Sequence, residues 1–240
     1  MFSLKFSIKY LIGGVNMIFF DIDGTLLDHK GAELEGIKKF YEKYEFNQLT
    51  DFEHFKELWV KFANKNFNRY LAKELSFEEQ RANRIIELFA EFHIRVEYEE
   101  ALDKFNDYLT VYEECWKAYD DVIPCLEMLK GKGLGIISNG DHEQQVMKLE
   151  KIGVKDYFED IVTAGSIGVA KPNVKIFEMA CERNGVNISD CYYIGDDIKS
   201  DINPCNEIGL KAILINRAQK EVSTDVKQVR SLVELGQIII

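Results

Sequence analysis

The chain has 240 residues, of which 46% are hydrophobic, 30% are charged and only three are proline. This composition is typical of a globular protein and excludes a collagen-like or largely disordered chain. The 41 acidic and 30 basic residues give a net charge of −11, which disfavours binding to a nucleic acid polymer or to an anionic membrane surface. Five cysteines without CxxC spacing favour a reducing, cytoplasmic location.

The first sixteen residues contain an apolar run that Lys9 interrupts. The run is much shorter than the roughly 20 apolar residues of a membrane span, and it leads directly into the first predicted strand. We therefore expect neither a secretion signal nor a membrane anchor here. Residues 1–16 are treated as an extension of unknown role.

Short apolar runs predict the strands of a sheet. They lie at residues 17–20, 134–137, 161–164, 191–194 and 211–215. Stretches with helical periodicity lie at residues 124–130, 144–151, 174–184 and 202–208. Because strands that alternate with helices form right-handed crossovers, this pattern predicts an α/β fold with a doubly wound, parallel-sheet, Rossmann-like core.

The segment between the first two predicted strands has a different pattern. Residues 32–118 contain no strand-like run and hold most of the aromatic residues, many at helical spacing. Thr50 with Glu53, and Ser76 with Glu79, have the spacing of helix capping boxes. The sequence therefore predicts an inserted domain of about four helices. The predicted boundaries are 32–118 for this insert and 17–31 with 119–240 for the discontinuous core.

Polar residues follow four of the predicted strands. In an open parallel sheet, ligands bind beyond the carboxyl ends of the strands, so these residues are expected to converge on one site. The candidates are Asp21 and Asp23 after the first strand, Ser138 and Asn139 after the second, Lys171 after the third, and Asp196, Asp197 and Asp201 after the fourth.

The candidate residues have the chemistry of a metal-assisted phosphate site. A cluster of carboxylates needs a cation to remain ionised, and hard oxygen ligands select Mg²⁺ or Ca²⁺. A lysine and a hydroxyl group beside the metal would bind phosphoryl oxygens. A calcium-binding EF-hand loop is excluded, because that loop needs glycine at its sixth position and Gly24 is at the fourth position of a loop that begins with Asp21.

The motifs resemble those of the haloacid dehalogenase (HAD) superfamily. Asp21-Ile-Asp23-Gly-Thr25 looks like the first motif of that family, Ser138 the second, Lys171 the third, and Gly195-Asp196-Asp197 with Asp201 the fourth. The helical insert is similar to the C1 cap of subfamily I. The resemblance therefore implies a HAD-type hydrolase that carries a helical cap.

The resemblance also implies roles for the candidate residues. Asp21 would be the nucleophile that forms an aspartyl phosphate, and Asp23 would be the general acid and base. Mg²⁺ would be held by Asp21, the main-chain carbonyl of Asp23, and Asp196. The remaining assignments are phosphate binding for Ser138, Asn139 and Lys171, orientation of Lys171 for Asp201, and a further or water-mediated metal contact for Asp197.

The residue two positions after Asp21 distinguishes dehalogenases from phosphatases within this family. Dehalogenase relatives resemble D-x-Y at this place, whereas Asp23 provides the proton that an alkoxide leaving group needs. We therefore expect a phosphomonoesterase, a monomer or homodimer, whose partner is a small soluble phosphate ester. Resemblance to the nucleotidase and sugar-phosphatase branch favours a nucleoside 5′-monophosphate. The alternatives are a phosphomutase of the same superfamily and a non-catalytic phosphate-ligand-binding protein.

Overall fold

The computed structural model describes residues 17–239, and the extension at residues 1–16 lies outside them. The described residues form two compact units. One unit contains residues 17–26, 120–139 and 154–239, and we call it the core unit. The other contains Leu27–Tyr119 and Gly140–Gly153, and we call it the helical unit.

The core unit is built on a six-stranded parallel sheet with the strand order β3-β2-β1-β4-β5-β6. The strands are β1 Met17–Phe20, β2 Leu134–Ser138, β3 Asp160–Thr163, β4 Cys191–Gly195, β5 Lys211–Ile215 and β6 Gln228–Val229. The predicted α/β fold with a parallel sheet is confirmed. The two-residue β6 was not predicted, because so short a strand has no detectable periodicity.

The central strands are apolar because both faces of the sheet are covered. All four residues of β1 are buried, and so are all five of β2. Strand β1 pairs with β2 on one side and with β4 on the other, and Phe20 lies opposite Ile194. The chain thus places the ends of β1 and β4 side by side, where the strand order reverses direction.

The core unit contains five α-helices within the described residues. They are α5 Val122–Met128, α7 Ala164–Ile167, α8 Lys175–Arg183, α9 Asn203–Glu207 and α10 Gly236–Ile239. A π-helical turn, Ile198–Ile202, separates β4 from α9. This turn determines where Asp201 lies.

The helical unit contains α1 His29–Lys43, α2 Phe52–Leu71, α3 Phe77–Glu91, α4 Tyr98–Glu114 and α6 His142–Lys151. A short 3₁₀ turn at Phe46–Gln48 follows α1. The core of the helical unit is aromatic. The centre of the Phe40 ring lies 5.1 Å from that of Trp59 and 6.2 Å from that of Phe89. Across residues 17–239, no helix combines the length and apolar character required to cross a bilayer.

Two helix starts test the predicted capping boxes. Ser76 and Glu79 form the reciprocal capping box at the start of α3, as predicted. The prediction for α2 was wrong by one residue, because Asp51 is the cap and its carboxylate accepts the His54 main-chain N–H at 3.0 Å. An ionised aspartate is a better acceptor for a helix N-terminus than a neutral threonine.

The unit boundaries differ from the predicted ones in three places, since residues 27–31, Tyr119 and Gly140–Gly153 all lie in the helical unit. Lys148 of α6 is buried, and its ammonium lies 6.0 Å from the ring centre of Tyr112 and 5.8 Å from that of Trp116. Cation–π contacts of this kind tie α6 to α4 and the residues after it. Sequence periodicity identifies α6 as a helix but does not indicate its packing partner.

A partly buried ion pair joins distant parts of the core unit. Arg217, after β5, donates to both carboxylate oxygens of Asp121 at 2.8 and 2.9 Å and to the Thr25 carbonyl at 2.7 Å. Asp121 also accepts from the Ser231 hydroxyl and the Leu232 N–H, both at 2.8 Å. A bidentate pair with these added hydrogen bonds fixes the loop after β1 against the C-terminal part of the unit.

We predict that Arg217→Met lowers the free energy of unfolding by about 2–3 kcal/mol, because it removes hydrogen bonds between charged groups. Chemical denaturation measures this. Burial alone would raise the pKa of Asp121, but hydrogen bonds from Arg217, Leu232 and Ser231 hold that pKa below its usual value. The stabilisation that the Arg217–Asp121 pair contributes is therefore present above pH about 4 and is lost as the pH falls below that value.

The control is Arg230→Met, which removes an exposed arginine of the same unit and should change stability by less than about 0.5 kcal/mol. Equal effects of the two substitutions, or an Arg217 effect that persists unchanged at acid pH, would contradict this assignment.

Candidate functional site

The site begins at the end of β1, where Asp21 follows Phe20. The Asp21 N–H donates to the Ile194 carbonyl of β4 at 2.8 Å. This bond continues the β1–β4 ladder by one step and aligns Asp21 with the end of β4. Asp21 is 5% exposed, so its carboxylate is almost fully removed from bulk water.

Lys171 is the cation of this site. Its ammonium donates to Asp21 Oδ1 at 2.8 Å, to Asp201 Oδ1 at 2.7 Å and to the Tyr193 hydroxyl at 2.9 Å. The lysine is 5% exposed and Asp201 is 1% exposed. An ammonium has three N–H groups, so all three have a partner. The structure thus brings Lys171 into contact with Asp21, which lies 150 positions earlier in the sequence.

The shared burial of these groups shifts their pKa values. Burial raises the pKa of Asp21 to about 7; Lys171 opposes the rise, and Asp201, Asp196 and Asp23 add to it. Burial would lower the pKa of Lys171, but Asp201 and Asp21 outweigh it and raise that pKa above its usual range. The lysine therefore stays charged, while the carboxylates carry more negative charge than one ammonium neutralises.

Tyr193 is the residue that the sequence analysis missed. Besides accepting from Lys171, its hydroxyl lies 3.0 Å from the Ile137 carbonyl and 3.0 Å from Asp201 Oδ1. It is fully buried in β4. A tyrosine within an apolar strand is expected in the core of a protein, and no sequence signal distinguishes this hydroxyl from that of Tyr192.

Asn139 holds the main chain of Lys171 from the end of β2. Its side-chain amide donates to the Lys171 carbonyl at 3.0 Å, and its carbonyl oxygen accepts the Lys171 N–H at 2.8 Å. The adjacent Ser138 is 1% exposed, with its hydroxyl 3.3 Å from the Asn139 carbonyl. The amide pair therefore fixes Lys171 relative to Ser138.

Two glycines permit a close approach of carboxylates to the main chain. Gly24 has a φ of +85°, and a Cβ atom there would lie 2.4 Å from Asp196 Oδ2. A Cβ atom at Gly195 would lie 2.3 Å from Asp201 Oδ2. Both distances are shorter than any non-bonded contact to carbon, so glycine is required at each position while these carboxylates stay in place.

Asp197 has a different environment from the other aspartates. It is exposed and caps the π-helical turn, where its Oδ1 accepts from the main-chain N–H groups of Lys199 and Ser200 at 2.9 and 2.7 Å. Burial would raise the pKa of Asp197, but its hydrogen bonds with Ser200 and Lys199 lower that pKa. The structure thus places Asp197 as the cap of the turn that carries Asp201.

The carboxylates can hold a divalent cation. Oxygen atoms of Asp21, Asp196 and Asp201 lie within 4.8 Å of one another. Both oxygens of Asp201 already accept protein hydrogen bonds, from Lys171 at Oδ1 and from the Asp197 N–H at Oδ2. Asp201 is therefore the least suited of the three to bind a metal ion directly. Such a hard oxygen donor set, with unneutralised charge, fits Mg²⁺.

Asp23 lies two residues beyond Asp21 and is half-buried. Its charge is close enough to contribute to the raised pKa of Asp21. Of the eight predicted site residues, seven thus lie in or beside one cluster, and Asp197 faces solvent at its edge.

We predict that Gly24→Ala weakens Mg²⁺ binding at least about tenfold, because the new methyl group must displace the Asp196 carboxylate. Isothermal titration with MgCl₂ measures the affinity. Gly209→Ala is the matched control, since Gly209 has a φ of +78° and no atom within 4 Å of the added Cβ. It carries the same backbone strain without the collision. Equal Mg²⁺ affinities for the two variants would disprove the role given to Asp196.

Comparison with protein families gives a match over most of the chain. A family model described as haloacid dehalogenase-like hydrolase matches residues 15–209. This span contains every residue of the acidic and lysine cluster.

Comparison with curated proteins gives several phosphatases. The chain is 30% identical to the pyrimidine 5′-nucleotidase YjjG of Escherichia coli over 92% of this chain and 96% of that protein. It is 30% identical to the N-acylneuraminate-9-phosphatase of Mus musculus over 85% and 84%. The glyceraldehyde 3-phosphate phosphatase of Methanopyrus kandleri is 38% identical, over 43% of this chain and 45% of that protein. The chain thus matches less than half the length of this last relative.

Comparison with solved structures gives the same fold. The magnesium-bound structure of the HAD-hydrolase YfnB from Bacillus subtilis has a TM-score of 0.76 and 21% identity, over 94% of this chain and 99% of that one. At this identity the likeness concerns the fold alone.

Proposed function

The chain belongs to the haloacid dehalogenase-like hydrolases as a phosphatase of that family, and we propose that it hydrolyses small phosphate monoesters through an aspartyl phosphate. One observation carries the proposal. The buried Asp21 carboxylate lies at the end of the central strand, 2.8 Å from the Lys171 ammonium and beside Asp196. A nucleophile, a cation for phosphoryl oxygens and a metal-binding carboxylate therefore meet at one point.

Asp21 is the proposed nucleophile. One of its carboxylate oxygens attacks phosphorus, and the bond between phosphorus and the ester oxygen breaks. The Lys171 hydrogen bond at Oδ1 leaves Oδ2 as the oxygen better suited to attack. Burial raises the pKa of Asp21, and a cation beside the carboxylate favours its ionised, nucleophilic form.

Asp23 is the proposed general acid and base. Its carboxyl group gives a proton to the departing ester oxygen, so that the product leaves as an alcohol. The resulting carboxylate then takes a proton from a water molecule, whose oxygen attacks phosphorus and breaks the bond to Asp21. This second step releases inorganic phosphate and restores both aspartates. Partial exposure of Asp23 supports this role, because the ester and the water molecule that exchange protons with Asp23 must enter from solvent.

Ser138, Asn139 and Lys171 are the proposed phosphate-binding residues. Lys171 and the Ser138 hydroxyl donate to phosphoryl oxygens, whose negative charge they stabilise. The Asn139 side chain is engaged with the Lys171 main chain, so its contribution comes from the main chain and from holding Lys171. Asp201 positions the Lys171 ammonium through the 2.7 Å contact.

Mg²⁺ is the proposed cofactor, held by Asp21, the main-chain carbonyl of Asp23, and Asp196. When bound, it would neutralise carboxylate charge and polarise a phosphoryl oxygen. For Asp197 we propose at most a water-mediated contact with the metal, because its Oδ1 atom already accepts the main-chain hydrogen bonds that cap the π-helical turn.

The substrate is proposed to be a small phosphorylated metabolite, with a nucleoside 5′-monophosphate preferred. Similarity to a pyrimidine 5′-nucleotidase over nearly the full length of both chains supports this preference. Similarity to an N-acylneuraminate-9-phosphatase makes a sugar phosphate the second choice. The helical unit is proposed as a cap that selects the alcohol. The five cysteines are all free thiols, which supports a cytoplasmic location.

The two alternative functions that the sequence allows, a phosphomutase and a non-catalytic binding protein, are less well supported. A phosphomutase needs the same two aspartates, but the relatives compared above are named as phosphatases or as a nucleotidase. A non-catalytic phosphate-binding protein has no need for a nucleophile whose carboxylate is buried against a lysine.

We predict that wild-type protein releases p-nitrophenol from p-nitrophenyl phosphate with Mg²⁺ and loses this activity with EDTA. Asp21→Asn should lower kcat at least about thousandfold, because an amide is a poor nucleophile. Asp225→Asn removes an exposed carboxylate of the same unit and should leave kcat unchanged. Turnover that survives in Asp21→Asn would exclude the aspartyl phosphate.

We further predict that Asp23→Asn affects two kinds of ester differently. An alkyl phosphate, such as a nucleoside 5′-monophosphate, should lose at least about a hundredfold in the rate of its first step, because its leaving oxygen needs a proton. p-Nitrophenyl phosphate should lose much less in that step, since p-nitrophenolate departs without protonation. Rapid-quench measurement of aspartyl phosphate formation distinguishes the two. An equal loss for both esters would contradict the role of general acid.

A further inference from the structure

The Tyr193 hydroxyl connects three segments of the core unit. It belongs to β4, yet it reaches the Ile137 carbonyl at 3.0 Å on β2, across the intervening strand β1. It also contacts Lys171 at 2.9 Å and Asp201 at 3.0 Å. A single buried hydroxyl therefore fixes three segments relative to one another: the end of β2, the loop that carries Lys171 (the lysine loop) and the π-helical turn.

The geometry of an ammonium group explains what the contact between Tyr193 and Lys171 does. The three N–H groups of Lys171 point in fixed tetrahedral directions. Two of them are taken by Asp201 and Tyr193, so the third can point only towards Asp21. With Asp201 alone, the flexible lysine side chain would be held at one point, and its Nζ atom could shift about that contact. The hydroxyl is thus the second point of attachment that determines the direction of the third N–H.

Tyr193 is well held for this task. Its ring packs edge-to-face against Phe177 at 5.0 Å, and the residue is fully buried. The hydroxyl accepts from Lys171 and has its own hydrogen for Ile137 or Asp201, so its bonding is satisfied. Removing only the oxygen would leave the ring packing intact and would leave one buried N–H of Lys171 without its partner.

We propose that Tyr193 is a positioning residue, whose hydroxyl directs the Lys171 ammonium towards Asp21 and towards the phosphoryl oxygens that approach it. This inference rests on the proposed phosphatase function. The Tyr193 hydroxyl contacts Lys171, which in turn contacts Asp21. It acts through Lys171, so its loss should impair stabilisation of the transition state more than substrate binding.

The test compares Tyr193→Phe with Tyr192→Phe, which makes the same change in the neighbouring residue of β4. Tyr192 is half-buried and its ring lies 5.2 Å from the Lys211 ammonium. With p-nitrophenyl phosphate and Mg²⁺, Tyr193→Phe should lower kcat about tenfold, as expected for one hydrogen bond to a charged group. KM should change less than about twofold, and inhibition by orthovanadate, which mimics the transition state, should weaken by about the same factor as kcat.

A purely structural role would give a different result. It would lower the thermal midpoint while kcat and the orthovanadate inhibition constant stayed within about twofold of wild type, and that outcome would overturn the proposal. Tyr192→Phe should leave all three quantities unchanged, and an equal effect of the two variants would also overturn it.

Failure of the proposed function can be distinguished from failure of this inference. Absence of turnover by wild type with any phosphate ester would remove the phosphatase assignment. In that case, crystal structures of wild type and Tyr193→Phe still decide the positioning role. An ammonium that remains 2.8 Å from Asp21 Oδ1 in the variant would overturn it, and a displaced ammonium would support it.

Discussion

The core unit depends on one arrangement, a lysine ammonium buried between two aspartates. Burial of a single charge is strongly unfavourable, whereas a charge with several hydrogen-bonded partners is tolerated. Lys171 has such partners in Asp21, Asp201 and Tyr193. These partners come from the end of β1, from β4 and from the π-helical turn, and removal of any one of them leaves a buried N–H of the ammonium without an acceptor. The sheet and its loops are therefore arranged around this ammonium.

The surroundings of the cluster keep it in place without adding charge. The amide of Asn139 holds the lysine main chain, and the glycines at positions 24 and 195 let the carboxylates approach the backbone. The pair of Arg217 and Asp121 fixes the Thr25 carbonyl in the loop after β1. These are neutral or internally paired contacts, so the excess negative charge remains on the aspartates, where a divalent cation fits.

Much of this arrangement follows from the sequence, and the exceptions have physical reasons. The run Met17–Phe20 predicts a buried central strand because all four residues are apolar, and the aspartates after it follow from the geometry of parallel sheets. Tyr193 could not be predicted, because its hydroxyl acquires a partner only when β2, β4 and the lysine loop come together.

Other differences are local or depend on packing. The helix cap at position 50 or 51 was ambiguous, since threonine and aspartate both cap helices and only the backbone conformation decides between them. The placement of Gly140–Gly153 with the helical unit depends on cation–π contacts of Lys148, which a periodic pattern cannot show.

The separation of Asp21 and Lys171 by 150 residues has a consequence for how the chain matures. Contacts between residues far apart in sequence form late, because a large loop must close before they gain any energy. During synthesis, the aspartate leaves the ribosome long before its counter-ion does. Nascent chains therefore lack the cluster, and chemical competence arises only with completion of the sheet. A chain truncated before position 171 would keep Asp21 and Asp23 but would lack the ammonium of Lys171 and the carboxylates of Asp196 and Asp201.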